Sequence, residues 1–408
     1  MINVLIITGH FPPQQGAGAN RPYSLFKYFK HHNINPFVIT KKFNNTLVNE
    51  GNIYFAQSDI NWRGNKSVIF SILVRAFSFL KFKFIDIYTD RLWLKSALKE
   101  AKIIINKEKI ELIYVTFPGP EALLLGVKLS KLTHIPLISE FRDGLLFESL
   151  YRNQTMLQRW HICSLEKRVV QASAAIITIG NTLTTYFKNE YHLSTAYTVF
   201  NGFDEDDFIG LKPNFKINQN HTHKIIYHFG NLNSSRSTDR SGFFEAICYL
   251  KQHEIIDSNS VSIIFIGNFT KYEYDLAIKF DVEDIVKFKP SMPKLEGIKQ
   301  MLSNGSALLF YGVKGEKSII SSKLPEYINM NLPILAICKG NEAESIIRTT
   351  NTGLVSDFDL MSIVAMFTNF IQKGYDYKPD KEVISTFNRK YQTAEVAQII
   401  KNVLKKNE

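Results

Sequence analysis

The chain has 408 residues, a length that favours two domains. With 45% hydrophobic and 21% charged residues, its composition is that of a folded protein and excludes a disordered, collagenous or coiled-coil chain. The net charge is +11, and the whole excess lies in residues 1–200, with 24 basic and 13 acidic residues against 25 of each in residues 201–408. A basic half predicts an anionic partner, such as a phosphorylated lipid, an acidic membrane surface or nucleic acid, and an incidental solvated surface is the alternative.

The cysteines and the apolar segments indicate a cytosolic protein. Cys163, Cys248 and Cys338 are widely spaced, without a CxxC pair or a Cys/His cluster, so neither a disulfide framework nor a structural zinc site is expected. The start MINVLIITGHFPP lacks the features of a signal peptide. No apolar run reaches the roughly 18–20 residues that span a bilayer.

In the first half of the chain, short apolar runs alternate with helical patterns. The predicted strands are 3–8, 36–40, 112–116, 136–139, 174–179 and 197–200. The predicted helices include 21–31, 92–107, 119–132 and 157–172.

The pattern restarts in the second half. The predicted strands are 224–229, 260–266, 285–288, 307–311, 334–337 and 353–355. The predicted helices are 241–253, 272–280, 294–304, 323–329, 341–349 and 360–373, and a last amphipathic segment covers 393–405.

Strands that are apolar throughout and separated by helices indicate parallel sheets covered on both faces. The sequence therefore predicts two Rossmann-like, doubly wound α/β domains facing each other across a cleft. The expected domains are 1–205 and 206–385, followed by a C-terminal helix in 386–408 that can pack back on the first domain. The segment 201–223, rich in Asn, Asp and His, is the predicted linker.

Ligands of such sheets bind beyond the carboxyl ends of the strands, so the loops that follow strands carry the candidate chemistry. In the first of these loops, residues 9–21, Gly16 and Gly18 allow the backbone to approach a ligand closely before a helix begins. A mobile surface loop is the alternative. After the strand at 136–139, Arg142 and Asp143 could position a substrate hydroxyl, supply a base or form an ion pair.

Two further loops, both in the second half, contribute residues to the predicted nucleotide site. The loop after the strand 224–229 contains Gly230 and Arg236, and a guanidinium group suits phosphate oxygens, whereas we expect Arg240 to be solvated. A Ser-Ser cap then precedes the helix 323–329, which places Lys323 and Glu326 one turn apart. The lysine could neutralise a phosphate while the glutamate accepts hydrogen bonds from a ribose, and an i, i+3 salt bridge is the alternative.

Four stretches carry a resemblance to a known family: HFPPQQGAGANRPYSLFKYF (10–29), SEFRDG (139–144), VFNGFDEDDF (199–208) and SSKLPEYINMNLPILAI (321–337). The chain resembles the GT-B fold retaining glycosyltransferases of family 4, in their bacterial surface-polysaccharide branch. The resemblance implies transfer of a sugar from a nucleotide sugar with retention of configuration, without a bound metal or another cofactor. A UDP-sugar is the favoured donor.

The resemblance also assigns roles to residues. Asp143, Arg236 and Lys323 are the expected catalytic residues, with Arg236 and Lys323 on the diphosphate and Asp143 beside the reacting sugar. Glu326 is expected to hold the ribose of the donor. The other donor-binding residues implied are Gly16, Gly18, Gly230, Ser322 and Leu324, and the acceptor residues are His10 and Arg142.

The leading functional hypothesis is a hexosyl- or N-acetylhexosaminyltransferase that acts on a polyprenyl-diphosphate-linked or oligosaccharide acceptor in the synthesis of capsule or O-antigen. One alternative is a nucleotide-sugar epimerase of similar fold. Another is a non-catalytic sugar-nucleotide-binding subunit, because a family glutamate eight positions before Glu326 is replaced by Ser318. Nucleic acid is not an expected partner, since no RRM, KH or helix-turn-helix signature is present.

Residues 67–84 combine basic and aromatic side chains and contain no acidic residue. A helix there suits an anionic membrane surface, and burial against the first domain's sheet is the alternative. Together with a lipid-linked acceptor, this pattern predicts a cytoplasmic protein bound peripherally to the inner face of the plasma membrane.

Overall fold

The structure is a computed structural model that describes residues 1–14, 16–43, 49–58, 90–149, 154–211, 223–231, 240–373 and 376–406. The chain divides into two compact units. The first unit comprises Met1–Phe200 and Lys390–Glu408, and the second comprises Asn201–Arg389. Two sequence-predicted features, the helix over 67–84 and the diphosphate ligand Arg236, lie outside the described residues.

The first unit is built on a parallel sheet of seven described strands. They are β1 (Ile2–Thr8), β2 (Ile34–Lys41), β3 (Ile53–Ala56), β4 (Leu112–Phe117), β5 (Leu137–Phe141), β6 (Ala175–Thr178) and β7 (Ala196–Thr198). Their order across the sheet is β3-β2-β1-β4-β5-β6-β7. The helices between them are α1 (Ala17–Tyr28), α2 (Arg91–Glu108), α3 (Pro120–Thr133), α4 (Met156–Ala172) and α5 (Asn181–Tyr191).

Both faces of this sheet are buried. Successive side chains of a strand point to opposite faces, so one strand contributes to the apolar cluster on each face. On β1, Leu5 and Ile7 join one apolar cluster, whereas Val4 and Ile6 join another. Helices α2 to α4 contribute to the first cluster. The second cluster contains Phe29 and residues of α13 (Arg389–Lys405), so the last helix of the chain belongs to the core of the first unit.

The second unit contains a parallel sheet of six described strands. They are β8 (Lys224–Phe229), β9 (Val261–Ile266), β10 (Val286–Lys289), β11 (Ala307–Tyr311), β12 (Ile334–Ile337) and β13 (Gly353–Ser356), in the order β10-β9-β8-β11-β12-β13. The helices are α6 (Ser241–Gln252), α7 (Lys271–Lys279), α8 (Lys294–Asn304), α9 (Lys323–Asn329), α10 (Glu342–Thr349), α11 (Leu360–Thr368) and α12 (Lys381–Ser385).

The winding direction reverses between β1 and β4 in the first sheet and between β8 and β11 in the second. Such a reversal separates the loops that follow the two strands and leaves room for a ligand at their carboxyl ends. The predicted fold class of two doubly wound, parallel α/β domains is therefore confirmed.

Strand β3 and helices α5 and α12 were absent from the sequence-based prediction, and α12 has only five residues. Strand β3 has only four residues and is half-buried at the sheet edge, so its apolar signal is short. Helix α5 contains three threonines, which have low intrinsic helix propensity, yet Leu183 and Phe187 are buried one turn apart. Tertiary burial therefore fixes this helix.

Part of the predicted linker is structured. Phe203 donates its backbone N–H to Phe387 O (3.0 Å) and accepts from Arg389 N–H (3.0 Å), and Glu205–Phe208 forms a 3₁₀-helix. Residues 212–222 of the linker lie outside the described part. Over the described residues, no helix is both long enough and apolar enough to cross a bilayer.

The packing of α3 on the first sheet depends on Gly126. A Cβ at this position would lie 2.4 Å from Val115 Cγ1 and 3.1 Å from Leu137 Cδ1. We expect Gly126→Ala to lower the free energy of unfolding by about 1–3 kcal/mol, because overpacking outweighs the gain in helix propensity. Urea unfolding measures the change. The matched control is Gly242→Ala in α6, where the new Cβ would meet only Phe358 O at 3.4 Å. An equal effect of the two substitutions would contradict the packing argument.

Candidate functional site

The described polar residues of the predicted nucleotide site lie at the reversal point of the second sheet. Strand β8 ends at Phe229 and is followed by Gly230, which has a φ of 102°. This conformation favours glycine. Lys323 begins α9, and its side chain lies across Gly230, because a Cβ on that glycine would be 2.6 Å from Lys323 Cε. A glycine here therefore leaves the space that the lysine side chain occupies.

Two acceptors hold the Lys323 ammonium group. Nζ lies 3.2 Å from His228 Nε2 and donates to Asn231 O at 3.1 Å. His228 is buried, and its Nδ1 lies 2.9 Å from Leu309 O on the neighbouring strand. Because a carbonyl oxygen only accepts, Nδ1 carries the proton and Nε2 offers its lone pair to the lysine. An ammonium group has three N–H bonds. His228 and Asn231 accept two of them, and this fixes the direction of the third.

Burial and nearby positive charge weaken the lysine's hold on its proton. They lower the pKa of Lys323 to about 8, with burial as the main cause and Arg240 as the second. Burial and the neighbouring Lys323 also lower the pKa of His228 well below its ordinary value, so the imidazole is neutral. The site is thus a partly desolvated cation whose charge an approaching anion would stabilise.

Arg240 contradicts the expectation of a solvated side chain. It is 6% exposed, and its Nη1 lies 3.9 Å from Glu273 Oε1, which is fully buried. Glu273 also accepts from the Thr270 N–H and hydroxyl groups at the start of α7. No local pattern indicates this partner, because Glu273 lies 33 positions further along the chain.

Glu326 forms an ion pair with Lys294, whereas the alternative prediction was a salt bridge with Lys323. Lys294 Nζ lies 2.6 Å from Glu326 Oε1 and 2.7 Å from Asp207 Oδ2. In the described part of the chain, Glu326 forms this ion pair and none with Lys323. Lys294 on α8 therefore holds the carboxylate and ties it to the 3₁₀-helix around Asp207.

The remaining residues of α9 anchor the helix to the sheet. Ser322 occupies the N-cap position, but the bond to the Lys323 N–H comes from Ser321 Oγ, at 3.4 Å. The Leu324 side chain is fully buried. The Tyr327 hydroxyl accepts from Phe229 N–H at 2.8 Å and so joins α9 to the end of β8.

In the first unit, the segment after β1 contains three predicted residues, of which His10 and Gly18 are in contact. Gly16, with a φ of 119°, precedes α1. His10 Nδ1 lies 3.0 Å from Gln14 Oε1, and a Cβ on Gly18 would meet the His10 ring atom Cγ at 3.2 Å. Burial is the main cause that lowers the pKa of His10, and Arg142 adds to it. His10 is therefore a neutral imidazole that is half-buried in this loop.

Arg142 fixes this loop to the neighbouring strand. Its Nε donates to Phe117 O at 3.0 Å, and its Nη1 donates to Gly18 O at 2.9 Å. Arg142 is 8% exposed, and burial lowers its pKa. The next residue, Asp143, is half-buried where the chain leaves β5. The predicted residues His10, Gly18 and Arg142 thus form one contiguous group, with Asp143 next to it in sequence.

Two buried ion pairs near the same strand ends were not predicted. Glu140 Oε1 accepts from Arg21 Nε (2.9 Å) and from the Tyr114 hydroxyl (2.7 Å), and all three side chains are buried. Burial alone would raise the pKa of Glu140, but Arg21 and the other neighbouring donors lower it. Lys41 forms a buried ion pair with Glu121 at the start of α3. Residues distant in sequence make these pairs, so no local pattern signals them.

Across the described residues, there is no group of three or more His, Cys, Asp or Glu side chains arranged to hold a metal ion. The described charges at the carboxyl end of β8 and the start of α9 are instead held by hydrogen bonds and ion pairs between side chains.

No protein-family model and no curated protein matches this chain. Solved structures do match over nearly its whole length. Sucrose-phosphate synthase from Thermosynechococcus elongatus has a TM-score of 0.67 at 11% identity, covering 98% of this chain and 99% of that one. The lipopolysaccharide outer core galactosyltransferase WaaB has a TM-score of 0.62 at 13% identity, covering 98% and 99%.

The UDP-GlcNAc 2-epimerase from Methanocaldococcus jannaschii also matches, with a TM-score of 0.56 at 12% identity, covering 98% of this chain and 100% of that one. At these identities the similarity concerns the fold. The chain has the GT-B fold, with two parallel-sheet α/β units, which glycosyltransferases and UDP-sugar epimerases share.

The lowered pKa of Lys323 has a measurable effect on stability. The folded chain releases this proton near pH 8, whereas the unfolded chain holds it to about 10.5. Between these values the unfolded chain binds more protons, so the free energy of unfolding should rise with pH. We expect Lys323→Met to remove this rise and to be more stable than the wild type at neutral pH. Urea unfolding over this pH range measures both, and parallel pH profiles of the two proteins would contradict the prediction.

Proposed function

We propose that this chain is a metal-independent glycosyltransferase that binds a nucleotide-sugar donor, favoured as a UDP-sugar, on its second unit. The observation that carries the proposal is the position of Lys323. Its ammonium group is held at the carboxyl end of β8, the reversal point of a parallel sheet, where such folds bind their ligands. The GT-B fold shared with a galactosyltransferase and a UDP-GlcNAc epimerase supports a donor of this class.

The chemistry of glycosyl transfer explains why a cation is needed at this place. When the bond between the sugar and the diphosphate breaks, negative charge develops on the leaving phosphate. A fixed ammonium group in a site with little water stabilises that charge without reorganising at the moment of reaction. Lys323 is fixed by His228 and Asn231, and we assign it this role. Arg236 is the proposed second cation on the diphosphate.

Glu326 is the proposed ligand of the donor ribose. A carboxylate accepts hydrogen bonds from sugar hydroxyl groups, and Lys294 holds one of its oxygens in a fixed position. The backbone at Gly230 and Ser322 is assigned to the same donor. In the first unit, we assign His10 and Arg142 to the acceptor side and Asp143 to a place beside the reacting sugar.

The finer parts of the proposal follow the family resemblance. They are retention of configuration, membership of family 4, a hexosyl or N-acetylhexosaminyl donor, and an acceptor that is polyprenyl-diphosphate-linked or an oligosaccharide of a surface polysaccharide. A lipid-linked acceptor would require the protein to work at the inner face of the plasma membrane.

A nucleotide-sugar epimerase is the second candidate, because an epimerase shares the fold over the whole chain. Incubation with UDP-sugars separates the two reactions. A transferase releases UDP when an acceptor is present, whereas an epimerase changes the sugar and leaves the nucleotide attached. Binding of UDP without either reaction would favour a sugar-nucleotide-binding subunit, and failure to bind any nucleotide would refute all three.

Replacing Lys323 tests whether its ammonium group stabilises the leaving diphosphate. We expect Lys323→Met to lower kcat/KM by about 10²–10³-fold, as for the loss of one transition-state donor, and to weaken binding of UDP. The control is Lys339→Met, because the Lys339 side chain is 60% exposed and pairs with Asp357. UDP release under steady-state conditions measures the effect. Equal activity of the two variants would contradict the role of Lys323.

The affinity for UDP should also depend on pH. Since the free protein loses the Lys323 proton near pH 8, the dissociation constant of UDP should rise above this pH, by up to tenfold per unit. Calorimetric titration in buffers of different ionisation enthalpy should show proton uptake on binding near pH 8. Lys323→Met should bind weakly and without this proton uptake. A wild-type affinity that is flat across this range would exclude Lys323 as a phosphate ligand.

A further inference from the structure

A cavity in the first unit has a lining that the proposed reaction does not use. It has a volume of about 440 Å³ and lies between α2, α3 and α4. Its apolar wall includes Leu94 and Leu98 from α2 and Leu124 and Leu132 from α3. This volume lies within the range of small-molecule sites. The cavity can therefore take an apolar group of moderate size, such as part of a hydrocarbon chain.

The charges around the cavity are all of one sign. Among the described residues that line it, the charged ones are Lys95, Lys128, Lys131 and Arg168, and none of these four forms an ion pair with a described carboxylate. Lys128 and Lys131 are three positions apart on α3, where like charges repel. An anion at the rim would relieve this repulsion.

Exposed apolar side chains extend the surface along α4. Met156, Leu157 and Trp160 are 90%, 54% and 65% exposed in the first turns of this helix. Leu157 and Arg168 are eleven residues apart, which is three turns plus roughly 20°, so they lie on the same face about 16 Å apart. One helix face thus leads from the exposed Leu157 to the cationic rim of the cavity, and Trp160 lies about 80° around the helix from Arg168.

We propose that this surface, consisting of the cavity and the exposed start of α4, binds an anionic phospholipid in a bilayer. The lysines and Arg168 would contact the lipid phosphate, and the leucine wall would accept the first part of an acyl chain. Trp160 would lie at the level of the headgroups, a position that tryptophan favours in membrane interfaces. The charge of the rim and the apolar wall together match an amphiphile, whereas an acidic protein segment would need only the charge.

This inference goes beyond the proposed sugar transfer, since it concerns where the first unit meets a lipid. It also differs from the sequence-based expectation, which assigned membrane contact to residues 67–84. A negative result in the lipid experiment would leave the nucleotide site of the second unit untouched, because the measurement contains no sugar nucleotide.

Co-sedimentation of the full chain with vesicles tests the proposal. One set of vesicles contains phosphatidylcholine alone, and the other contains phosphatidylcholine mixed with phosphatidylglycerol. The test variant carries Lys128→Glu and Lys131→Glu. The matched control carries Lys271→Glu and Lys299→Glu, two exposed lysines of the second unit, so that both variants have the same net charge. Thermal unfolding of each variant checks that it is folded.

We expect the wild type and the control to bind the phosphatidylglycerol vesicles and to bind phosphatidylcholine weakly. The Lys128/Lys131 variant should bind the anionic vesicles at least tenfold less tightly. The fluorescence of a Trp62→Phe variant should shift to the blue on these vesicles, and adding Trp160→Phe should remove the shift, because the remaining Trp93 is already fully buried.

Three results would overturn the proposal. The first is equal binding of the wild type to both vesicle types, and the second is an equal loss of binding in the test and control variants. The third is binding to immobilised polyglutamate without binding to anionic vesicles, which would assign the surface to an acidic protein segment instead.

Discussion

The parallel arrangement of the strands is the constraint on which both candidate sites depend. Parallel strands with helices on both faces end at a common edge, and the winding reverses between β1 and β4 and between β8 and β11. This geometry alone brings Lys323, which follows β11, to Gly230 and Asn231, which follow β8. In the first unit it brings Arg142, which follows β5, to Phe117 and Gly18.

The buried charges of the two units differ in how they are compensated. Arg21 is paired with Glu140 and also donates to the carbonyl groups of Val199 and Phe200, so this charge is satisfied within the protein. Lys323 instead has neutral acceptors and a positive neighbour, Arg240, and its pKa is lowered to about 8. A partly buried cation that forms no ion pair with a described carboxylate costs stability, which is consistent with a group kept for an anionic ligand.

Neighbouring residues support each functional side chain. His228 orients Lys323 because its own Nδ1–H is held by Leu309 O, and Lys294 orients Glu326 while it also holds Asp207. On the first unit, the helices α2, α3 and α4 place their leucines and cations around one cavity. The two units therefore offer surfaces of different chemistry, one proposed to bind a diphosphate and the other proposed to bind an amphiphile.

The fold class and most elements could be predicted from the sequence, because buried parallel strands are continuous apolar runs and amphipathic helices are periodic. Strands β8, β11 and β12 have the predicted bounds, as do helices α8 and α9. The glycines and charged residues that follow strands also led to Gly230, Lys323 and Glu326 as candidate site residues. The partners of the charged side chains are visible only in the folded chain: His228 for Lys323, Lys294 for Glu326 and Glu273 for a buried Arg240. These partners come from other strands and helices, and contacts between distant segments leave no periodic or local pattern in a single sequence.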